Sequence, residues 1–293
     1  MEAPQSRLVG IETSGANVRS KHVHNAVTIW LPFLAMVGAA FKSPPASLAT
    51  AVVAAVFFLL GGIGILVGLH RYFSHRYFDC GPFLRTFLAV LATWAWQGPI
   101  VQWVADHRRH HRYADTPLDP HSPYFVNGEP ASSTARGFLH SHLTWMLAGD
   151  YTQPARYAAD TLNDPISSFC SRYHWPLACT GLVLPAVVGW LIGGASEAAS
   201  CLVWAGFARV VVLQHLTWAI GSFAHMVGTK APNAKDEARD SVVLSVLMFG
   251  EGQHAFHHAN PNAGLMEPST LDATGALLRV LERVGLIWNL KRR

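Results

Sequence analysis

Residues 46 to 69 form an almost unbroken apolar run, long enough to cross a lipid bilayer, and such a run leaves the backbone little choice. In lipid every N–H and C=O must be satisfied inside the segment, so the run is a helix. Residues 26 to 42 are apolar up to Lys42, and Ser43-Pro44-Pro45 turns the chain between them and the longer run. Residues 175 to 194 and 199 to 222 repeat the arrangement around Gly193-Gly194-Ala195-Ser196-Glu197. The chain reads as two transmembrane hairpins, with no other repeat of fixed period. A content of 51% hydrophobic against 14% charged residues, with ten tryptophans, agrees with a membrane protein and excludes an ordinary soluble domain.

Arg7, Arg19 and Lys21 precede the first hairpin, Arg71 and Arg76 follow it, and its turn is nearly uncharged. The positive-inside rule then places the N-terminus and His70 in the cytoplasm. Met1 to Lys21 has no apolar core, so no cleavable signal is expected and the first hydrophobic segment stays as an anchor. Cys80, Cys170, Cys179 and Cys201 contain no C-x-x-C pair and read as packing residues. The net charge of +4 lacks the long basic run that nucleic acid would call for.

Three stretches carry chemistry: His70-Arg71-Tyr72-Phe73-Ser74-His75, Asp106-His107-Arg108-Arg109-His110-His111, and His254-Ala255-Phe256-His257-His258. H-x-x-H-H on a helix turns at least two imidazoles toward a common point, whereas H-x4-H suits a helix end or a bend. With 16 histidines in the chain, one such five-residue box arises by chance on the order of 0.05 times, so two are not an accident. Eight imidazoles exceed the capacity of one ion, and two metals are implied.

Boxes one and two can share metals only if the apolar stretch between them does not cross the bilayer. Residues 83 to 104 contain Arg85 and the interruption Gln97-Gly98-Pro99, and are expected to form an interfacial or re-entrant helix. From Arg112 to Tyr173 the chain is polar and proline-rich, which reads as short helices and loops. A polar linker, Lys230 to Asp240, leads to an amphipathic helix from about Ser241 that delivers the third box, and Thr270 to Arg293 reads as a helical tail. The expected fold is all-α and membrane-integral: four transmembrane helices in two hairpins with a cytoplasmic helical cap carrying the boxes. It is a single domain over 1–293, divided into an N-terminus (1–25), a first hairpin (26–69), a region with boxes one and two (70–174), a second hairpin (175–222) and a region with box three (223–293).

The order of motifs resembles that of membrane fatty acyl desaturases of the stearoyl-CoA (delta-9) type. The stretches that carry the resemblance are Gly68 to Arg76, Trp103 to His111, Asp119-Pro120-His121-Ser122, Arg136-Gly137-Phe138 before Ser141-His142, Thr217-Trp218 before Ser222-Phe223-Ala224-His225, and Gly250-Glu251-Gly252 before the last box. The resemblance implies a diiron centre held by His70, His75, His107, His110, His111, His225, His254, His257 and His258. His225 enters only through the resemblance, not through spacing. It further implies a bent acyl tunnel with Gln97, Trp103 and Thr217 at its bend, and Arg136 near the carrier headgroup. His121 and His142 fall in family-like contexts as supporting residues. Gly221 stands where the family has an asparagine holding a water near one iron. Ala148-Gly149-Asp150 replaces the basic pair expected beside a CoA group.

The chemistry implied is dioxygen-dependent insertion of a cis double bond into an acyl chain carried on CoA, acyl carrier protein or phospholipid. An unactivated methylene is beyond acid–base or nucleophilic side chains, so a metal–oxygen oxidant is required. Asp106 and Glu251 are expected to orient ring N–H groups, while Asp115 and Asp119 read as solvated surface carboxylates. No cytochrome b5-like or ferredoxin-like segment is visible, so electrons come from a separate donor of one of those types. Arg71, Arg76, Arg108, Arg109 and Arg112 are expected to give the metal-bearing face a positive potential for that donor or for anionic lipid. The expected location is a bacterial inner membrane, or the endoplasmic reticulum membrane if eukaryotic, with the metals on the cytoplasmic side. The same scaffold serves acetylenases, hydroxylases and alkane oxygenases, and a non-catalytic metal-binding membrane protein is the competing reading from another class.

Overall fold

A computed structural model of the protein describes residues 10–41, 46–266 and 271–292. The turn at Ser43-Pro44-Pro45, with Lys42 and Arg7, lies outside the described residues. The helices are α1 (Ala16–Ala40), α2 (Leu48–Ile63), α3 (Pro82–Trp94), α4 (Ile100–Tyr113), α5 (Thr134–Leu139), α6 (Pro165–Arg172), α7 (His174–Cys201), α8 (Arg209–Ser222), α9 (Val242–Leu247), α10 (His254–Ala259) and α11 (Ala273–Arg283), with shorter turns between them. Paired two-residue strands, such as Asp79–Cys80 with Ile287–Trp288 and Thr229–Lys230 with Arg239–Asp240, pin the connecting segments.

Two helical stretches are long and apolar enough to cross a membrane: Leu48–Ser74, mean hydropathy 2.7, and His174–His225, mean hydropathy 1.9. The second is folded back on itself. Gly193 and Gly194 have non-helical backbones (φ −145° and 71°), and beyond them Cys201 packs on Gly189 and Arg209 Nη2 reaches Gly181 O at 2.8 Å. The positive φ at Gly194 is one that a side chain would resist.

The reversal of this hairpin and the start of α2 meet at one end of the bundle, where Ser47 Oγ and Thr50 Oγ1 both donate to Glu197 Oε1 at 2.5 Å. At the other end, α1 is tied to the segment after α5: Asn25 Nδ2 donates to Met146 O at 2.9 Å and Lys21 Nζ to Asp150 O at 2.7 Å. His70 and His225 terminate the long stretches at that same end.

Leu48–Ser74 changes register midway. From Gly64 to Ser74 it is a π-helix. Hydrogen bonds from i+5 to i, including His75 N to His70 O at 3.1 Å, bring residues five apart onto one face. Here H-x4-H is therefore a single helical turn, where spacing alone suggested a bend. The backbone of α3 lies directly against this segment: a Cβ at Gly64 would stand 2.3 Å from Leu91 C and O.

The apolar stretch 83 to 104 is two helices. α3 ends at Trp94, and α4 begins after the break Gln97-Gly98-Pro99 and carries box two. The third box also differs from expectation, because α9 stops at Leu247 and box three occupies its own helix, α10. Phe249 (φ 51°) and Gly250 (φ 114°) make the turn between them, and a Cβ at Gly252 would meet Ser245 N at 2.2 Å. The linker 230–240 is a small hairpin, and the tail is a helix followed by a strand. The core beneath the histidines is built from Leu66, Leu69, Phe73, Leu88, Ile100, Val104 and Leu213. The outer faces of the long helices expose Val52, Val56, Leu59, Val183, Trp190 and Leu191, as a lipid-facing surface requires.

Candidate metal centre

The nine histidines named above gather into two groups. His70, His75, His107, His111 and His257 form one, and His110, His225, His254 and His258 the other; within each, one ligand atom per residue lies within 4.8 Å of all the rest. Helix geometry explains the division. In α4 the i, i+4 pair His107 and His111 faces the first group and His110 turns to the second. In α10 the i, i+4 pair His254 and His258 faces the second group and His257 turns to the first.

Each group is set from outside by carboxylates. His70 Nδ1 lies 2.8 Å from Glu251 Oε2, His225 Nδ1 2.8 Å from Asp115 Oδ2, His258 Nδ1 2.8 Å from Asp236 Oδ2, and His110 Nδ1 3.0 Å from Asp119 Oδ1. An ionised carboxylate only accepts, so in the hydrogen-bonded rings of His225, His258 and His110 Nδ1 carries the proton, and in the neutral ring Nε2 then presents a bare lone pair inward. The Nε2 atoms of His110 and His258 are buried without any partner. Those of His225 and His254 face each other at 3.0 Å. His257 Nε2 lies 3.1 Å from His70 Nε2 and 3.0 Å from His111 Nε2, and it has at most one proton to share between them. Converging lone pairs of this kind repel unless a cation stands among them, and neutral imidazole is the donor that late first-row metals accept. The residues present fit two metal ions.

Burial holds His75, His107, His111, His254, His257 and His258 well below the ordinary imidazole range, and the neighbouring imidazoles add to the effect. They are neutral and available as ligands. Burial alone would lower His110 too, but Asp119 overrides it and raises that ring, so a metal bound there displaces any proton from its Nε2. Glu251 would be raised by burial, yet His70 and Arg71 bring it down to about 2.

Asp115 and Asp119 correct the sequence reading. Their side chains are 5% and 0% exposed, so both are buried partners of histidines, not solvated carboxylates. Asp106 does not meet a ring nitrogen: Oδ2 accepts from Gln102 Nε2 at 3.2 Å and Oδ1 is unpartnered. Asp236 and Tyr77, whose hydroxyl is 3.3 Å from His257 Nδ1, carry no local motif that would have marked them.

His121 stacks on His110 with ring centroids 4.3 Å apart, leaves Nδ1 without a partner, and packs on Gly221. His142 instead joins Ser222 Oγ and His215 Nδ1, both at 3.0 Å, and touches none of the nine.

The arginines also differ from expectation. Arg71 is fully buried and binds Glu251 and Asp272, and Arg109 is 1% exposed and forks onto Asp150 at 2.6 and 2.8 Å. Arg76 and Arg108 share Asp160. Of the five, Arg112 is left exposed, so these charges chiefly brace the site from within.

Beside the histidines lies a cavity whose wall includes Gln97, Trp103 and Thr217, together with Leu66, Trp218 and Met248. Trp103 stacks on His107 at 4.9 Å, joining the apolar wall to the first group. Arg136 stands apart, exposed on α5 and donating to Ser132 Oγ at 3.3 Å.

A sequence model described as fatty acid desaturase matches residues 45–269. Among similar proteins, a hex-5-enoyl-acyl-carrier-protein acetylenase of Moorena producens is 37% identical over 236 residues, 79% of this chain and 74% of that one. An sn-1 stearoyl-lipid 9-desaturase of Anabaena variabilis is 32% identical over 264 residues, 87% of this chain and 89% of its own. Stearoyl-CoA desaturase 2 of Mus musculus is 31% identical over 224 residues, 74% of this chain and 59% of its own.

Proposed function

The chain belongs to the fatty acid desaturase family, and from that premise we propose that it is a four-span, two-hairpin membrane oxidoreductase that inserts a cis double bond into a fatty acyl chain at a diiron centre. It acts as one domain, with the metal-bearing cap on the cytoplasmic side of a bacterial inner membrane. One observation carries the reading: two inward-facing imidazole groups, three of whose rings are proton-fixed by carboxylates, open onto an apolar cavity.

His70, His75, His107, His111 and His257 would hold one iron, and His110, His225, His254 and His258 the other. Bound there, the irons supply dioxygen activation, the one step that no side chain performs on an unactivated methylene. The chain's own residues do the rest. Asp115, Asp119 and Asp236 keep the protons of three rings on Nδ1, away from the metal side, and Glu251 stands 2.8 Å from His70 Nδ1. Trp103, Leu66, Trp218 and Met248 exclude water and confine the acyl chain beside the histidines, while Gln97 and Thr217 shape the bend.

The overall reaction balances as two hydrogens lost from adjacent carbons, with dioxygen, two electrons and two protons yielding the double bond and two waters. The electrons come from a separate ferredoxin- or cytochrome b5-type donor, and the acyl chain arrives as a thioester on CoA or acyl carrier protein.

The test is expression in cells lacking unsaturated fatty acids, with new lipids identified by mass spectrometry and His257→Ala as control. New olefinic chains from the parent and none from the variant are expected; no new unsaturation with two irons bound per chain would sink the reading. The acetylenase at 37% identity favours one alternative, in which an existing double bond is the substrate. A triple bond formed from an olefinic thioester, with saturated thioesters untouched, would put that alternative first.

A further inference from the structure

The cavity beside the histidines stops abruptly. Along α8 its wall includes Thr217 but not Gln214 or Leu213, and along Leu48–Ser74 it includes Ile65 and nothing earlier. Below that level the helices touch: a Cβ at Gly61 would stand 2.6 Å from Leu213 Cδ1, so no acyl chain passes between α2 and α8. Gln214, 1% exposed, donates from Nε2 to both Thr28 O and Trp96 O at 3.0 Å. One turn further down, Arg209, 3% exposed, donates to Trp94 O and Gly181 O at 2.8 Å and to Ala205 O at 3.2 Å.

An arginine within a membrane segment is costly and persists where its donors are satisfied. Here backbone carbonyls of three segments satisfy it. A chain forced past these side chains would break buried hydrogen bonds and offer only methylenes in return.

The cavity has a mouth on its side. Asn25, Pro99 and Gln102 belong both to the cavity wall and to a groove lined by Lys21, Ser171 and Arg172. A thioester that enters there, between α1 and α4, and sets its reacting carbons beside the histidines has the floor at its methyl end. From His70 down to Ile65 is five residues, little more than one turn of the π-helix, a depth that holds only a handful of methylenes.

Building on the desaturase reading, we propose that Leu213, Gln214 and Arg209 form a fixed floor to the acyl cavity, so that the substrate is a short-chain acyl thioester oxidised within a handful of carbons of its methyl end. A stearoyl-length chain has no place to put its distal half.

The test uses the full chain in lipid nanodiscs, titrated with hexanoyl-, octanoyl-, dodecanoyl- and stearoyl-acyl carrier protein. Binding is read from the fluorescence of Trp103 and Trp218, and the iron-loaded protein is assayed for product by mass spectrometry. Hexanoyl or octanoyl thioester is expected to bind at least about tenfold more tightly than stearoyl. Leu213→Ala should move the preference toward longer chains. If that variant does not fold, Ile65→Ala enlarges the bottom of the cavity without touching Gln214 or Arg209 and should shift it the same way. Stearoyl binding as tight as octanoyl in the parent, or folded variants with unchanged preference, overturns the floor. Short thioesters that bind tightly to the iron-loaded protein but are never oxidised would instead sink the desaturase reading and leave the floor in place.

Discussion

At the scale of single residues, the histidines were legible and their partners were not. H-x-x-H-H advertises itself because helix periodicity makes its spacing geometric. Asp236 lies 22 residues from His258, and Asp115 lies 110 residues from His225, so no local pattern joins them. Asp115 and Asp119 looked like solvated carboxylates because nothing in their neighbourhood shows that the chain closes over them. Their burial makes a prediction. Asp119→Ala removes the acceptor that fixes the His110 proton, so His110 loses its preferred tautomer and orientation. Iron affinity at the four-histidine group should fall about 10- to 100-fold, read as iron retained per chain against a graded chelator. Unchanged retention would show that Asp119 only fills space. Arg71 is the harsher case: Arg71→Ala leaves Glu251 and Asp272 buried without their cation. It should cost about 3–5 kcal/mol, seen as a lowered unfolding midpoint in detergent even before metal is added.

At the scale of elements, long apolar runs were readable as helices, but breaks and register changes were less so. The π-helix at 64–74 was hidden because its cause is tertiary: Gly64 and Gly68 let α3 lie close, and the wider turn aligns His70 with His75. Gly64→Leu tests this. Backbone atoms of Leu91 stand where its Cβ must go, so α3 has to move, and a cost at or above about 3 kcal/mol is expected. Metal content should fall with it, since His70 shifts as the segment does. A second contact between elements, Asp160 with Arg76 and Arg108, joins the end of the first box to α4. Burial would raise the Asp160 carboxyl, but Arg108 and Arg76 more than reverse this and hold it below its ordinary value of 3.8. Its stabilisation is therefore complete above pH 3.8 and drains away as the pH falls toward the depressed value. Asp160 is nearly half exposed, so Asp160→Asn should cost no more than about 1 kcal/mol at pH 7. Melting curves of parent and variant should differ by about 2–4 °C or less there and converge below pH 3.8; a gap that persists in acid would point to lost packing instead.

At the scale of the whole molecule, the argument rests on sidedness. Metals can be shared by residues 70, 107, 225 and 257 only if every segment carrying them surfaces at the same end, and the order of apolar runs allows this when residues 83 to 104 stay on one side. In the fold those residues break into α3 and α4 instead of making one straight span, while the reversal at Gly193–Gly194 and the start of α2 meet around Glu197 at the opposite end. Much of the positive surface expected to attract a redox partner is taken up in folding, because Arg71 and Arg109 are buried and Arg76 and Arg108 are paired, while Arg112 stays exposed. Composition reports how many charges there are, not whether they face water. What the whole-molecule arrangement demands is a simple inequality of access. A cysteine placed at Ala195, beside the hairpin reversal, should react with a membrane-impermeant maleimide added to intact spheroplasts. One placed at Asn233, in the hairpin that leads to box three, should react only after the membrane is opened, with Cys179, the exposed native thiol, replaced by serine in both. If both positions label from outside, the histidine groups and the hairpin reversal share a side, and the packing that joins Ser47, Thr50 and Glu197 far from the imidazoles cannot be the packing of the protein in its membrane.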